Sequence, residues 1–131
     1  YEFLTDNKNQ IENINIHFSS FEDKAKLKKV LAKVSGITVT SSMPHNLEIG
    51  GRTTSKASAI ASLCRLLNIK EKNVMAVGDS PNDEAMIKAA GVGVAMGNAE
   101  EEVKACADFI TLSNGEDGVA YAVEKFVFGE R

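Results

Sequence analysis

Val74-Met75-Ala76-Val77 is a run of four apolar residues that stops at Gly78 and gives way to Asp79, Ser80, Pro81, Asn82 and Asp83. An unbroken apolar run of this length suits a strand covered on both faces, as in a parallel sheet, because a strand with one wet face would alternate. Gly78 frees the backbone to turn sharply where the strand ends. The two carboxylates then stand at the carboxyl edge of the sheet, where open α/β sheets bind ligands, and are placed for metal or phosphate chemistry. The same residues also read as an ordinary strand-to-helix loop in which Asp83 opens the next helix.

The rest of the chain supports an α/β reading. Asn13 to Phe18 alternates polar and apolar, the period of a half-buried strand. Ser19 and Glu22 have capping-box spacing ahead of a helix whose Phe21, Ala25, Val30, Leu31 and Val34 form one stripe, ended by Gly36. Ile37 to Thr40 and Leu47 to Ile49 read as strands around a Met43–Asn46 turn. The cluster Lys24, Lys26, Lys28 and Lys29 reads as a solvated helix face, with Glu22 and Lys26 in the favourable i, i+4 order.

At Gly50-Gly51 the character changes, and helix and strand patterns begin to alternate. A helix carries Ile60, Leu63, Cys64 and Leu67; the Val74–Val77 strand follows, then a helix from about Asn82 to Ala90 closed by Gly91. Next come a strand over Val92–Met96, a short helix after Asn98, a strand over Phe109–Leu112, and a last helix with Val119, Val123, Phe126 and Val127. Strands separated by helices imply right-handed crossovers and a parallel sheet. Two units are expected, 1–50 as a small α+β piece and 51–131 as an α/β core.

Composition narrows the function classes. The 131 residues are 44% hydrophobic and 25% charged, as in a globular protein, and no apolar run approaches the ~20 residues of a membrane helix. A formal net charge of −3 supplies no excess of Lys and Arg for a nucleic-acid backbone. Cys64 and Cys106 are far apart and lie in helix-like patterns, which points to reduced thiols and a cytoplasmic setting. No secretory signal is visible, and the chain starts at Tyr1 without an initiator methionine, so a fragment or processed product is expected.

Several motifs fail on inspection. Gly50 to Ala57 mimics a P-loop, but Ser55 stands where glycine should precede lysine and Ala57 replaces the magnesium-binding hydroxyl. Gly91, Gly93 and Gly97 lie along a strand with the wrong last spacing for a dinucleotide fingerprint. Pro81 at the third position and no glycine at the sixth exclude a calcium loop over Asp79–Glu84. His17 and His45 have no helical metal-ligand spacing.

Lys56, Asp79, Asn82 and Asp83 remain. A hard cation such as Mg2+ takes carboxylate oxygens and keeps waters, and Asp79 is the natural ligand. A phosphoryl group in transit spreads negative charge over its oxygens, which a lysine and an amide donor stabilise; Lys56 and Asn82 suit those roles. Asp83 either fixes Lys56 by a charge-assisted hydrogen bond or binds a metal-bound water. Taken alone, Lys56 is a surface lysine at a helix start.

Four segments carry a family resemblance: Ser55-Lys56-Ala57-Ser58-Ala59-Ile60; Gly78-Asp79-Ser80-Pro81-Asn82-Asp83-Glu84-Ala85-Met86; Gly91-Val92-Gly93-Val94-Ala95-Met96-Gly97-Asn98-Ala99; and Asn114-Gly115-Glu116-Asp117-Gly118-Val119-Ala120. In this order they resemble the carboxy-terminal half of Cof-type phosphatases of the haloacid dehalogenase superfamily, over about residues 47 to 127. Residues 1 to 46 are similar only in pattern to the end of that family's cap domain. Ala57 departs from the glycine the family usually has after the lysine.

The resemblance implies a partial Rossmann-like core (51–131) preceded by the end of an α+β cap (1–50), and hydrolysis of small phosphorylated metabolites through an aspartyl-phosphate. It implies Lys56 and Asp83 as catalytic groups, Lys56 and Asn82 on the phosphate, and Asp79 and Asp83 at Mg2+. No D-x-D occurs in the chain, so the family's nucleophile motif is missing and the chain alone is expected to be inactive. Self-association through the strand edge left open by the missing half is expected too. The alternative is a non-catalytic binding domain that keeps the fold. Substrate choice is open among sugar phosphates, flavin precursors and similar metabolites.

Overall fold

The computed structural model describes residues 2–129. They fall into two compact units, one ending at Thr54 and one beginning at Ser55.

In the first unit, α1 (Glu2–Asp6) precedes β1 (Asn13–His17), α2 (Phe21–Leu31), β2 (Ile37–Thr40) and β3 (Asn46–Gly51). The sheet is antiparallel in the order β1-β3-β2. Leu47 is fully buried, and the register sets Ile14 opposite Ile49 and Ile16 opposite Leu47, so one face is apolar. Gly50 and Gly51 pair inside β3, opposite Thr38 and Ile37.

α2 differs from its sequence reading in three ways. Ser20, one residue later than Ser19, is the cap, and its hydroxyl accepts from the Asp23 amide at 3.4 Å. The Phe21–Val34 stripe is not a buried face: Phe21 and Val30 are each 60% exposed, and no residue of α2 is fully buried. Lys24 is not part of a solvated face either, since its ammonium donates to the Ser41 hydroxyl at 3.0 Å and the Pro44 carbonyl at 2.7 Å. A three-stranded sheet gives α2 too little apolar area to cover, and the Ser41–His45 turn uses the lysine as a tie. Lys26 does stay on the surface, paired with Glu22 at 2.8 Å.

The second unit alternates helix and strand: α3 (Lys56–Leu67), β4 (Met75–Gly78), α4 (Glu84–Ala89), β5 (Val92–Ala95), α5 (Glu101–Lys104), β6 (Phe109–Ile110) and α6 (Gly118–Val123). A wider helical turn, Glu124–Phe128, continues α6. The sheet is parallel throughout, in the order β4-β5-β6, with Met75 opposite Val92 and Val94 opposite Phe109. α4 packs on β4 and β5 and against α3. The core is Ile87, Ala95, Met96, Ala99 and Val103, with Val77 and Met86 packed against it. Because all three strands run the same way, the segments after β4, β5 and β6 share one edge.

Among the described residues no helix is long and apolar enough to cross a membrane.

Candidate active site

The site is assembled from two places in the sequence. Ser55 caps α3 with a capping box to Ser58, which fixes where the helix starts and puts Lys56 in its first position. β4 ends at Gly78, after which Pro81–Asp83 make a single 3-10 turn leading into α4. Pro81 suits the first position of that turn, where no amide hydrogen is needed.

Asp83 joins the two places. It is 3% exposed. One carboxylate oxygen accepts from the Lys56 ammonium at 2.5 Å; the other accepts from the backbone amides of Asp79 at 3.0 Å and Ser80 at 3.2 Å. A buried carboxylate must be paired and hydrogen-bonded, and these three donors meet that need. Lys56 also lies 3.5 Å from the Asn82 side-chain oxygen and keeps half of its side chain exposed.

Gly78 serves a different purpose from the sharp turn read from the sequence. Its φ is not positive, but a Cβ there would lie 2.4 Å from the Asp83 Cβ. Glycine is required because Asp83 folds back over the strand end.

Asp79 is exposed, and its Oδ1 accepts from the Ser80 hydroxyl at 3.2 Å. Its backbone carbonyl accepts from the Glu100 amide at 3.2 Å. The peptide is thus held on both sides, by Asp83 and by the segment after β5, while the carboxylate faces solvent.

All four sequence-derived residues, Lys56, Asp79, Asn82 and Asp83, therefore belong to one hydrogen-bonded edge. His17 and His45 take no part in it; His45 lies against the Phe21 ring, centroids 4.2 Å apart. Sequence reasoning passed over Ser80 and Gly78 as functional positions. The signal for Ser80 was present in its place three residues before Asp83, the spacing at which a side chain reaches back to a cap amide.

The donor chemistry can be tested against Mg2+, which prefers oxygen ligands, keeps several waters and is usually bound through one or two carboxylates plus substrate phosphate. Asp79 meets that description. Among the described residues no group of three or more His, Cys, Asp and Glu side chains is arranged to hold a metal, and both Asp83 oxygens are engaged. The edge fits one carboxylate's share of a hard-cation site.

Comparison with known proteins agrees with the fold. A family model described as haloacid dehalogenase-like hydrolase matches residues 1–123. The chain belongs to that family. It is 50% identical over 97 residues to 5-amino-6-(5-phospho-D-ribitylamino)uracil phosphatase YcsE of Bacillus subtilis, covering 74% of this chain and 39% of that protein. It is 44% identical over 108 residues to phosphatase YwpJ of the same organism, covering 82% of this chain and 38% of that protein. A haloacid dehalogenase-like hydrolase structure from B. subtilis superposes with a TM-score of 0.85 at 40% identity, over 88% of this chain and 41% of that one. The chain thus spans about two fifths of the length of these relatives.

Proposed function

We propose that this chain is the carboxy-terminal part of a Mg2+-dependent phosphatase acting on small phosphorylated metabolites. In this reading 1–50 is the end of a cap domain and 51–131 the end of the core. The observation that carries it is the Lys56–Asp83–Asp79 connection at the carboxyl edge of a parallel sheet. Relatives named as phosphatases, one of a phosphoribitylamino-uracil, support the substrate class. Two free cysteines support a reduced, cytoplasmic setting.

Within that reading Lys56 places a positive charge beside the phosphoryl oxygens and Asn82 contacts the same group. Asp83 acts through Lys56 and the loop, holding the ammonium and the Asp79 and Ser80 amides in place. Asp79 is the residue of this chain that would hold Mg2+. The bound cation would neutralise phosphate charge and orient the group for in-line attack. The attacking carboxylate comes from outside this chain, which contains no D-x-D, so the isolated chain turns over no phosphomonoester.

The test is phosphate release from a panel of phosphorylated sugars, polyols and nucleotide precursors by the protein carrying its upstream sequence, with Mg2+ and with a chelator. Metal-dependent turnover that disappears in Asp79→Ala is the expected result. An upstream sequence without D-x-D, and no turnover on any member, would overturn the proposal in favour of a non-catalytic binding domain.

A further inference from the structure

The three segments at the sheet edge are tied together beyond the site itself. After β5, the Met96 amide donates to the Gly78 carbonyl at 2.9 Å and the Glu100 amide to the Asp79 carbonyl at 3.2 Å. On its other side the same segment is fixed to the end of β6. The Gly97 amide donates to the Leu112 carbonyl at 3.0 Å, and the side-chain oxygen of Asn98 accepts from the Asn114 amide at 2.8 Å. The approach is close enough that a Cβ on Gly97 would sit 2.8 Å from the Ser113 nitrogen. Backbone bonds tie the two segments as far as Leu112, through the Thr111 amide to the Ala95 carbonyl and the Gly97 amide to the Leu112 carbonyl. The exposed Asn98 extends that tie by a side-chain contact to Asn114.

We propose that Asn98 is a positioning residue for Asp79: by anchoring the Met96–Glu100 segment to Asn114, it holds the Glu100 amide against the Asp79 carbonyl and so sets the carboxylate's place at the cation. The inference rests on the phosphatase reading above. Groups that orient a metal ligand without touching the metal typically change affinity by about 10–100-fold when removed, and Asn98 acts at one further remove. Loss of the Asn98 oxygen should therefore weaken cation binding roughly tenfold, near the low end of that range.

The experiment measures Mn2+ affinity by electron paramagnetic resonance, together with amide exchange at Asp79 and Ser80, in the protein carrying its upstream sequence. Asn98→Ala is expected to weaken binding roughly tenfold and to speed exchange at both amides, with KM for substrate unchanged at saturating metal. Asn98→Asp, which keeps an acceptor for the Asn114 amide, should restore both. Asn98→Ser is too short to reach that amide; it should behave as alanine does and covers the case in which alanine prevents folding. Wild-type affinity and exchange in Asn98→Ala or Asn98→Ser would overturn the positioning role alone. A wild-type protein that binds no divalent cation would overturn the phosphatase reading, and this inference with it.

Discussion

Replacing Asp83 by alanine tests whether this carboxylate organises the site or chiefly holds metal. Three donors lose their acceptor: the Asp79 amide, the Ser80 amide and the Lys56 ammonium. A hydrogen bond to a charged group contributes about 1.5–3 kcal/mol, and both amide bonds are part-buried rather than fully buried, so the low end applies to each. Lys56 is half exposed and regains hydration, which limits its share to about 1 kcal/mol. Together the loss is about 3–4 kcal/mol, or roughly 10–15 °C in Tm for a chain of this size.

Asp83→Asn keeps an oxygen for the two amides but turns a donor towards Lys56, for a loss of about 1–2 kcal/mol. Lys56→Met leaves the buried Asp83 carboxylate with the two amides but no counter-charge and should cost about 1–3 kcal/mol. The assay is urea unfolding in a chelator, followed by fluorescence of Tyr121, which lies in the same unit. Without metal, a carboxylate whose main task is ligation contributes nothing to stability, and removing it relieves repulsion from Asp79. An Asp83→Ala protein within about 1 kcal/mol of wild type would refute the reasoning.

Further outcomes are expected at the same edge and beyond. In the protein with its upstream sequence, Lys56→Ala should lower kcat by at least about 10²-fold at a temperature where the variant is still folded; full activity would remove Lys56 from the site. Gly78→Ala should destabilise by about 1–3 kcal/mol and lose activity together, because the new methyl group displaces Asp83, and thermal unfolding measures it. The Ser113 hydroxyl and amide hold the Glu116 carboxyl below its usual 4.5. Its contribution is therefore present above pH 4.5 and is lost as pH falls through the lowered value, so Glu116→Gln should flatten the acid limb of a Tm–pH curve. β4 has one sheet neighbour among the described residues, and the isolated chain should self-associate through its other edge. A monomer in sedimentation at every concentration, with β4 amides protected from exchange, would sink that expectation.

The parallel unit was legible because its elements are punctuated locally. Ser55 begins α3, Gly78 and Pro81 bracket the loop after β4, and the apolar runs at β4 and β5 have no polar alternation. β6 was read as four residues but is two, because the Leu112 carbonyl bonds to the Gly97 amide rather than to the ladder. Competition of that kind is set by the neighbouring loop and leaves no mark in the Phe109–Leu112 composition. In the first unit the apolar stripe of α2 could be seen, but how little of it the sheet would cover could not. Periodicity reports which face is apolar and says nothing about how much partner surface exists.

What composition could not separate were the two carboxylates themselves. Asp79 and Asp83 are the same residue type, four positions apart, and either could ligate a cation. Their environments differ by tertiary contact: Asp83 lies over a glycine and meets the start of a helix far away in sequence, while Asp79 stays at the solvent edge. Asp83 already accepts from two backbone amides and a lysine, and turning it fully to a metal would leave those donors without their acceptor. Burial thus separates two carboxylates that composition leaves alike. Asp83 ties the loop down, and Asp79 is left with an open carboxylate at the solvent edge, which under the proposed phosphatase reading would meet a cation without reorganising.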